Sequence, residues 1–212
     1  MICILGGTFD PVHYGHLRPA LEVRQALGID QVRLLPAGRP PHRHPPQASA
    51  GQRLAMLELA VQDEPALVVD ARELRRDGPS YMADTLRELR EEIGDEPLCL
   101  ALGMDALQGL DSWHDWHAIP ALCHLLVMER PGSRWPRSGE LLKRVARARV
   151  DDVDALHGQA AGLIAGIRVT QLDISASAIR RMLADGRSPR FLLPDRVLDY
   201  IYEQDLYLNA EH

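Results

Sequence analysis

The sequence predicts an α/β fold with a doubly wound parallel sheet, on three observations. First, residues 1–5 form a short apolar run without charge, and two glycines and an amphipathic segment that ends near Leu27 follow it. Strand, turn and helix in this order make the first unit of an open parallel sheet. Second, residues 98–102 are an uninterrupted apolar run, which is typical of a strand buried on both faces. Third, such runs alternate with helical stripes along the chain, which favours parallel strands.

Each further element is predicted from its own pattern. Short apolar runs predict strands at residues 31–36, 66–70, 98–102, 124–128 and 167–172. Helical spacing of apolar residues predicts helices at residues 17–27, 50–62, 80–93 and 140–149, and from about 175 and 194 onward. Ser80 is expected to cap the third helix. The last helix is expected to turn Val197, Leu198, Ile201 and Tyr202 to the core.

Composition limits the class of protein. The 212 residues suit a single domain, and the net charge of −6 argues against a general DNA or RNA binder, which needs a basic face. Cys3, Cys99 and Cys123 lie in apolar runs without a C-x-x-C pair, which indicates core residues in a reducing compartment. The N-terminus lacks the pattern of a signal peptide, and no run reaches transmembrane length. A cytoplasmic protein without a membrane partner is therefore expected.

The turn after the first strand has the composition of a phosphate site. Gly6 and Gly7 let backbone N–H groups approach an anion, and the following helix directs its positive end to the same place. Neither the G-x-G-x-x-G pattern nor the G-x-x-x-x-G-K-[ST] pattern is present. Instead, His13 and His16 stand three residues apart, so on a helical first turn both can donate to one polyphosphate. Gly15 between them leaves room for that ligand.

The whole string, G-G-T-F-D-P-V-H-Y-G-H-L, resembles the signature of the H-x-G-H nucleotidyltransferase superfamily. In this long form it is similar to the bacterial nicotinate-nucleotide adenylyltransferases. Class I aminoacyl-tRNA synthetases share the H-x-G-H but add a K-M-S-K-S loop, and Lys143 is the only lysine here. The resemblance implies a Rossmann-like fold for residues 1–212, with a variable insertion at about 133–166 and a C-terminal helical segment at about 175–208.

The resemblance also implies an ATP site with His13 and His16 as the catalytic pair. From its residues alone, the proline-rich segment 37–46 fits a solvated surface loop as well as a loop that covers phosphates. The family has a P-P-H-[RK] loop there that covers ATP, so the resemblance implies the second. A G-x-D after the fourth strand and an I-S-x-x-x-I-R stretch complete the implied set. The ATP contacts implied are Gly6, Gly7, Thr8, Phe9, His16, His42, Arg43, Gly103, Asp105, Ser177 and Arg180.

A second group of motifs implies a mononucleotide site. The stretch from Pro79 to Leu86 is similar to the family's P-S-Y-T-x-x-T-L, with Met82 in place of the first threonine. Trp113 matches a tryptophan that stacks on the pyridine ring, although His114 replaces the tyrosine that usually follows. The density of His and Asp around Trp113 also admits a zinc site, which the missing cysteines and ligand spacing disfavour. The mononucleotide contacts implied are Asp10, Thr85, Trp113, His114 and Arg130.

The resemblance therefore implies an enzyme that joins ATP and nicotinate mononucleotide into nicotinate adenine dinucleotide and pyrophosphate, a step of NAD synthesis. Mg²⁺ is expected as cofactor, held by the ATP phosphates and not by a protein metal site. Monomers or small homo-oligomers are expected. The alternatives are a sister enzyme for nicotinamide mononucleotide or phosphopantetheine, a class I synthetase fragment, and a nucleotide sensor without catalysis.

Overall fold

The computed structural model of the chain describes residues 1–39, 45–129, 132 and 134–208. Seven strands lie within these ranges: β1 (Ile2–Gly7), β2 (Val32–Pro36), β3 (Leu67–Val69), β4 (Leu98–Gly103), β5 (His124–Glu129), β6 (Arg149–Val150) and β7 (Ile164–Arg168). The helices are α1 (Tyr14–Leu27), α2 (Ala50–Val61), α3 (Met82–Ile93), α4 (Met104–Gln108), α5 (Ile119–Leu122), α6 (Gly139–Ala148), α7 (Ala176–Ala184) and α8 (Asp195–Glu203).

The described strands form one parallel sheet in the order β3-β2-β1-β4-β5-β7-β6. The chain builds outward from β1 in one direction and then from β4 in the other, so the order reverses between these two strands. Leu5 of β1 pairs with Leu34 on one side and with Ala101 on the other. The predicted α/β doubly wound fold is confirmed, and the crevice beyond β1 and β4 is where such sheets bind ligands.

Both faces of the sheet are covered, as the uncharged sequences of the central strands β1 and β4 require. Because side chains alternate along a strand, Cys3 and Leu5 of β1 point into one core, which helices α1, α2, α7 and α8 cover. Ile4 points into the other core, beneath helices α3, α4, α5 and α6. The central strands are therefore held rigidly, and their carboxyl ends form a fixed base for the site.

Three local predictions are wrong. The last large strand, β7, covers Ile164–Arg168 and not 167–172, because it begins directly after a turn at Gly162, whose φ is +101°. Residues 169–172 form a loop instead. Ser80 does not cap α3; its Oγ accepts the N–H groups of Gly38 and Arg39 at 2.9 and 3.1 Å.

The third error concerns α8. Val197, Leu198 and Ile201 are buried, but Tyr202 is 45% exposed, since the residue after Ile201 lies about 100° around a helix of 3.6 residues per turn. The short edge strand β6 was not predicted at all. In the described part of the chain, every helix is too short or too polar to cross a membrane.

Candidate active site

A cavity of about 570 Å³ opens at the crevice between β1 and β4. This volume is in the range of small-molecule sites. Its walls come from the β1–α1 turn, the ends of β2 and β4, the start of α3 and the loop after β7. Of the residues implied by resemblance, those on the wall are Gly6, Gly7, Thr8, His16, Gly103, Asp105, Trp113 and His114.

Gly6 and Gly7 provide space, and neither has a positive φ. A Cβ on Gly7 would lie 2.8 Å from the Phe9 ring, and one on Gly6 would lie 3.0 Å from the Met82 methyl group. The positive φ of the turn falls on Phe9, at 50°. The glycines are therefore required for close packing of the turn.

The two motif histidines lie against each other at the start of α1. His13 precedes the helix with extended backbone, and His16 is the third helical residue. Their rings are stacked with centroids 3.8 Å apart and planes 28° apart. The backbone N–H of His13 donates to Nδ1 of His16 at 3.3 Å. Because that nitrogen accepts, a neutral His16 carries its proton on Nε2.

His13 is buried, with 4% of its surface exposed, and its Nδ1 has no hydrogen-bond partner among the described residues. Burial lowers the pKa of this imidazole to about 4. His13 is therefore neutral at pH 7 in the ligand-free protein. A protonated ring at His13 would therefore need a nearby negative charge, such as that of a bound phosphate.

Gly15 completes the histidine turn. A Cβ on Gly15 would lie 2.9 Å from His13 Nδ1 and 3.3 Å from the carbonyl oxygen of Ile174. Gly15 also borders the cavity. The missing side chain therefore leaves space next to the unpaired imidazole nitrogen, on the side where the cavity lies.

Comparisons with known proteins identify the family. Residues 4–182 match the family model described as cytidylyltransferase-like. A curated protein of Methylococcus capsulatus, named a probable nicotinate-nucleotide adenylyltransferase, is 50% identical over 98% of this chain and 99% of its own length. One of the same name from Acidithiobacillus ferrooxidans is 52% identical over 97% of this chain and 95% of its own length. The chain belongs to the nicotinate-nucleotide adenylyltransferase family.

A solved structure supports the fold of this adenylyltransferase. Plasmodium falciparum nicotinic acid mononucleotide adenylyltransferase complexed with NaAD superposes with a TM-score of 0.77 over 99% of this chain and 98% of that chain. The sequence identity is 18%, so the likeness is one of architecture.

Three further ATP residues implied by sequence, Phe9, Ser177 and Arg180, are not part of the cavity wall, and Phe9 is buried in the core. Ser177 is exposed in the first turn of α7. Its Oγ lies 3.3 Å from the Oγ of Ser175. Ser175 caps the helix, because its Oγ accepts the N–H of Ala178. Arg180 follows one turn later and donates to the carbonyl oxygen of Asp10 at 2.5 Å. His42 and Arg43 lie outside the described residues.

Asp10 is also outside the wall of the cavity. Its carboxylate is 5% exposed and accepts three hydrogen bonds, from the N–H groups of Gln47 and Ala48 and from the Tyr207 hydroxyl. These donors all come from the protein itself. The structure thus ties Asp10 to other parts of the chain, and a ligand role for it stays a prediction.

Thr85 is fully buried behind the cavity. Its Oγ1 donates to Glu73 Oε1 at 2.7 Å and accepts from Arg76 at 3.2 Å. Glu73, 3% exposed, lines the cavity itself, and burial raises the pKa of its carboxyl group. The sequence analysis missed Glu73. Its position shortly after β3, on the ligand-binding edge of the sheet, is the signal that could have indicated it.

Aromatic residues form another part of the cavity wall. Trp113 lies half-buried on the cavity, and Tyr81 stacks on His114 with ring centroids 4.1 Å apart. Tyr81 was not expected at the site. Arg130 lies outside the described residues. The His114 ring is stacked on Tyr81, so Trp113 offers an aromatic face on the cavity wall for a flat ligand.

The loop after β7 is a further wall that the sequence analysis assigned to a strand. Residues 169–172 line the cavity. Glu22 of α1 holds this loop by accepting from the backbone N–H and the hydroxyl of Thr170, both at 2.6 Å. The loop therefore closes the cavity on the side of α1.

Proposed function

We propose that this protein transfers the adenylyl group of ATP to nicotinate mononucleotide, giving nicotinate adenine dinucleotide and pyrophosphate in NAD synthesis. The observation that carries the proposal is the stacked pair of His13 and His16 at the switch point of the sheet, in a chain about half identical to relatives over almost its whole length. Adenylyl transfer needs charge stabilisation at phosphates, and this pair supplies it at the strand ends where nucleotides bind.

The chemistry needs no protein nucleophile. A phosphate oxygen of the mononucleotide attacks the α-phosphorus of ATP, and the bond from that phosphorus to the bridging oxygen of pyrophosphate breaks on the opposite side. The protein aligns the two substrates and stabilises the charge that builds on the phosphate oxygens. His16, with its proton on Nε2, is the donor on the cavity wall. His13 stands behind it and stacks on its ring.

Protonation of His13 is coupled to the nucleotide. The ligand-free imidazole is neutral because it is buried. A triphosphate at Gly15 brings negative charge to its Nδ1 and favours the protonated ring. The donor then appears only when the substrate is present, and a buried cation without a partner is avoided.

The residue roles divide into two groups. For ATP we propose direct contacts from the cavity residues Gly6, Gly7, Thr8, Gly103 and Asp105, with Ser177, Arg180, His42 and Arg43 nearer the β- and γ-phosphates. For the mononucleotide we propose ring stacking on Trp113, a backbone contact at His114 and a phosphate contact from Arg130. Thr85 acts through Glu73, since its hydroxyl does not reach the cavity.

We propose that Mg²⁺ enters with ATP. In the part of the chain that the structure describes, no three His, Cys, Asp or Glu side chains are grouped as a metal would require. The carboxylates on the cavity wall are Asp105 and Glu73, and burial favours the neutral form of Glu73. This donor set fits a metal carried by phosphates and not a resident one. We also propose a cytoplasmic location, where the buried thiols of Cys3, Cys99 and Cys123 stay reduced.

The experiment is pyrophosphate release from ATP with nicotinate mononucleotide, nicotinamide mononucleotide and phosphopantetheine in turn. A carboxylate only accepts hydrogen bonds, whereas an amide must also place an N–H₂ group, so backbone N–H donors after Trp113 favour the acid. We expect a preference for the acid of at least ~10²-fold in kcat/KM. Trp113→Ala should weaken both pyridine substrates by about 1–3 kcal/mol and keep most of the preference.

The other outcomes identify the alternatives. Equal turnover of acid and amide would contradict the substrate assignment, although not the adenylyl transfer. Turnover of phosphopantetheine would identify the sister enzyme. Binding of ATP without pyrophosphate release from any acceptor would identify a sensor.

A further inference from the structure

The C-terminal tail (residues 204–208) contacts the signature motif directly. The hydroxyl of Tyr207 donates to Oδ1 of Asp10 at 2.6 Å, across almost the whole length of the chain. Burial, and then the hydrogen bond to Asp10, raise the pKa of this hydroxyl, so it is protonated and can donate at neutral pH. Asp10 stands three residues before His13.

Asp10 joins four segments of the chain. Its carboxylate accepts the N–H of Gln47 at 2.9 Å and that of Ala48 at 3.1 Å, besides the Tyr207 hydroxyl. Nη1 of Arg180 lies 3.7 Å from Oδ2 and donates to the backbone oxygen of Asp10. A buried carboxylate with this number of donors is a fixed point, because moving it would leave several of them unpaired.

The segments on both sides of this contact have strained backbone. Phe9, directly before Asp10, has φ of 50°, and in the tail Asp205 and Tyr207 have φ of 50° and 62°. Residues other than glycine persist in the left-handed region only where their surroundings hold them there. Phe9 also sets its ring edge against His16, with centroids 5.0 Å apart. The contact between Asp10 and Tyr207 thus ties the tail to the turn that supports the histidines.

We infer that Tyr207 and Asp10 are positioning residues of the active site: the C-terminal tail, through Asp10, fixes the turn that carries His13 and His16, and Asp10 does not contact the mononucleotide. The inference rests on the adenylyltransferase function proposed above. It extends the site to a residue that no nucleotide motif includes, and it assigns Asp10 a different role from the one that resemblance implied.

The test compares Tyr207→Phe with the matched control Tyr202→Phe, which removes an exposed hydroxyl on α8. Steady-state rates are measured with ATP and nicotinate mononucleotide well below the melting temperature of each variant. We expect Tyr207→Phe to lower kcat about tenfold, the effect of one hydrogen bond to a charged group, with both KM values within about twofold of wild type. Tyr202→Phe should match the wild type.

A second readout does not depend on catalysis. The NMR titration of the His13 Cε1–H signal in the ligand-free protein should have its midpoint near 4, the value that burial imposes. In Tyr207→Phe a loosened turn admits water, so the midpoint should move toward the usual 6.5, and in Tyr202→Phe it should not move. A purely structural hydroxyl would lower the melting temperature and leave this midpoint unchanged.

Asp10→Asn keeps the size of the side chain and serves if Tyr207→Phe does not fold. Two results would support the inference. Asp10→Asn should lose at least as much kcat as Tyr207→Phe, and the double variant should lose less than the product of the two single losses. A selective rise in KM for the mononucleotide in Asp10→Asn would overturn it, as would a kcat of Tyr207→Phe within twofold of wild type with an unmoved His13 signal. If the wild type releases no pyrophosphate, the proposed function fails, and the His13 titration still decides the inference.

Discussion

Two buried histidines, His13 and His124, lie at opposite ends of the parallel strands and differ in one respect. Both are nearly inaccessible to solvent, and burial lowers the pKa of both. His124, at the amino end of β5, uses both nitrogens: Nδ1 accepts the N–H of Leu163 at 3.1 Å, and Nε2 lies 2.9 Å from the Gln159 oxygen. His13, at the carboxyl end of β1, has an Nδ1 without a partner among the described residues.

His124 has the hydrogen bonds of a structural residue, whereas the unpaired Nδ1 of His13 among the described residues is what supports the functional role proposed for it. Burial and a lowered pKa are common to both histidines. What distinguishes them is the hydrogen bonding of their ring nitrogens. A native interior rarely leaves a polar atom unpaired, so an exception beside a ligand-binding edge supports the role proposed for His13.

The largest effect is expected on catalysis. His13→Ala or His16→Ala should lower kcat ~10²–10³-fold or more, roughly 3–4 kcal/mol of transition-state stabilisation. His124→Ala should leave kcat within about threefold while it lowers the free energy of unfolding by ~2–3 kcal/mol, because two buried backbone groups lose their partner. Steady-state kinetics and urea unfolding of the three variants test this. Full activity of folded His16→Ala would contradict the mechanism.

The second effect is the dependence of the free energy of unfolding on pH. The pKa of His13 is about 4 in the folded protein against 6.5 as the usual value, so between these values the unfolded chain binds the extra proton. Stability therefore falls as the pH drops below 6.5. His13 accounts for ~2 kcal/mol of the loss in the free energy of unfolding between pH 6.5 and 5. This contribution levels off below the pKa of His13 in the folded protein.

The measurement is urea unfolding at pH 7 and 5 for wild type and His13→Gln. The variant should lose less stability than wild type over this interval, and the remaining loss includes that of His124, whose pKa is lowered in the same direction. Equal pH slopes for the two proteins would show that His13 is not buried as a neutral ring.

How far the sequence predicted this site depends on the range of the interactions. The strand ends, the glycine turn and the histidine pair are local patterns, and the structure brings Gly6, His16, Asp105 and Trp113 to one cavity. Roles that depend on distant partners could not be predicted. Nothing near Thr85 in sequence shows that Glu73 takes its hydroxyl, and nothing near Asp10 indicates a contact from Tyr207.

The strand boundary at β7 was wrong for a similar reason. Residues 167–172 have strand-like alternation, but the sheet pairs Ile164 with Leu125 of β5, so the strand starts earlier and its predicted end becomes a wall of the cavity. Strand propensity predicts strand boundaries poorly where pairing with a neighbouring strand decides the register. The missed wall at Thr170 was a consequence of that one error.

The smallest effect extends the contrast to Thr85, a polar group with satisfied hydrogen bonds like His124. Thr85→Val keeps the shape but removes the donor to Glu73 at 2.7 Å, and it should lower the free energy of unfolding by about 1 kcal/mol. Because the hydroxyl does not face the cavity, the acid-over-amide ratio of kcat/KM should stay within about threefold of wild type, and KM should rise equally for both mononucleotides. The control Ser188→Ala removes an exposed hydroxyl that accepts the Arg190 N–H at 3.2 Å and does not line the cavity. Collapse of the acid preference in Thr85→Val, with Ser188→Ala unchanged, would show that the Thr85 hydroxyl turns to the substrate, so that a polar group satisfied in the free protein can still select the ligand.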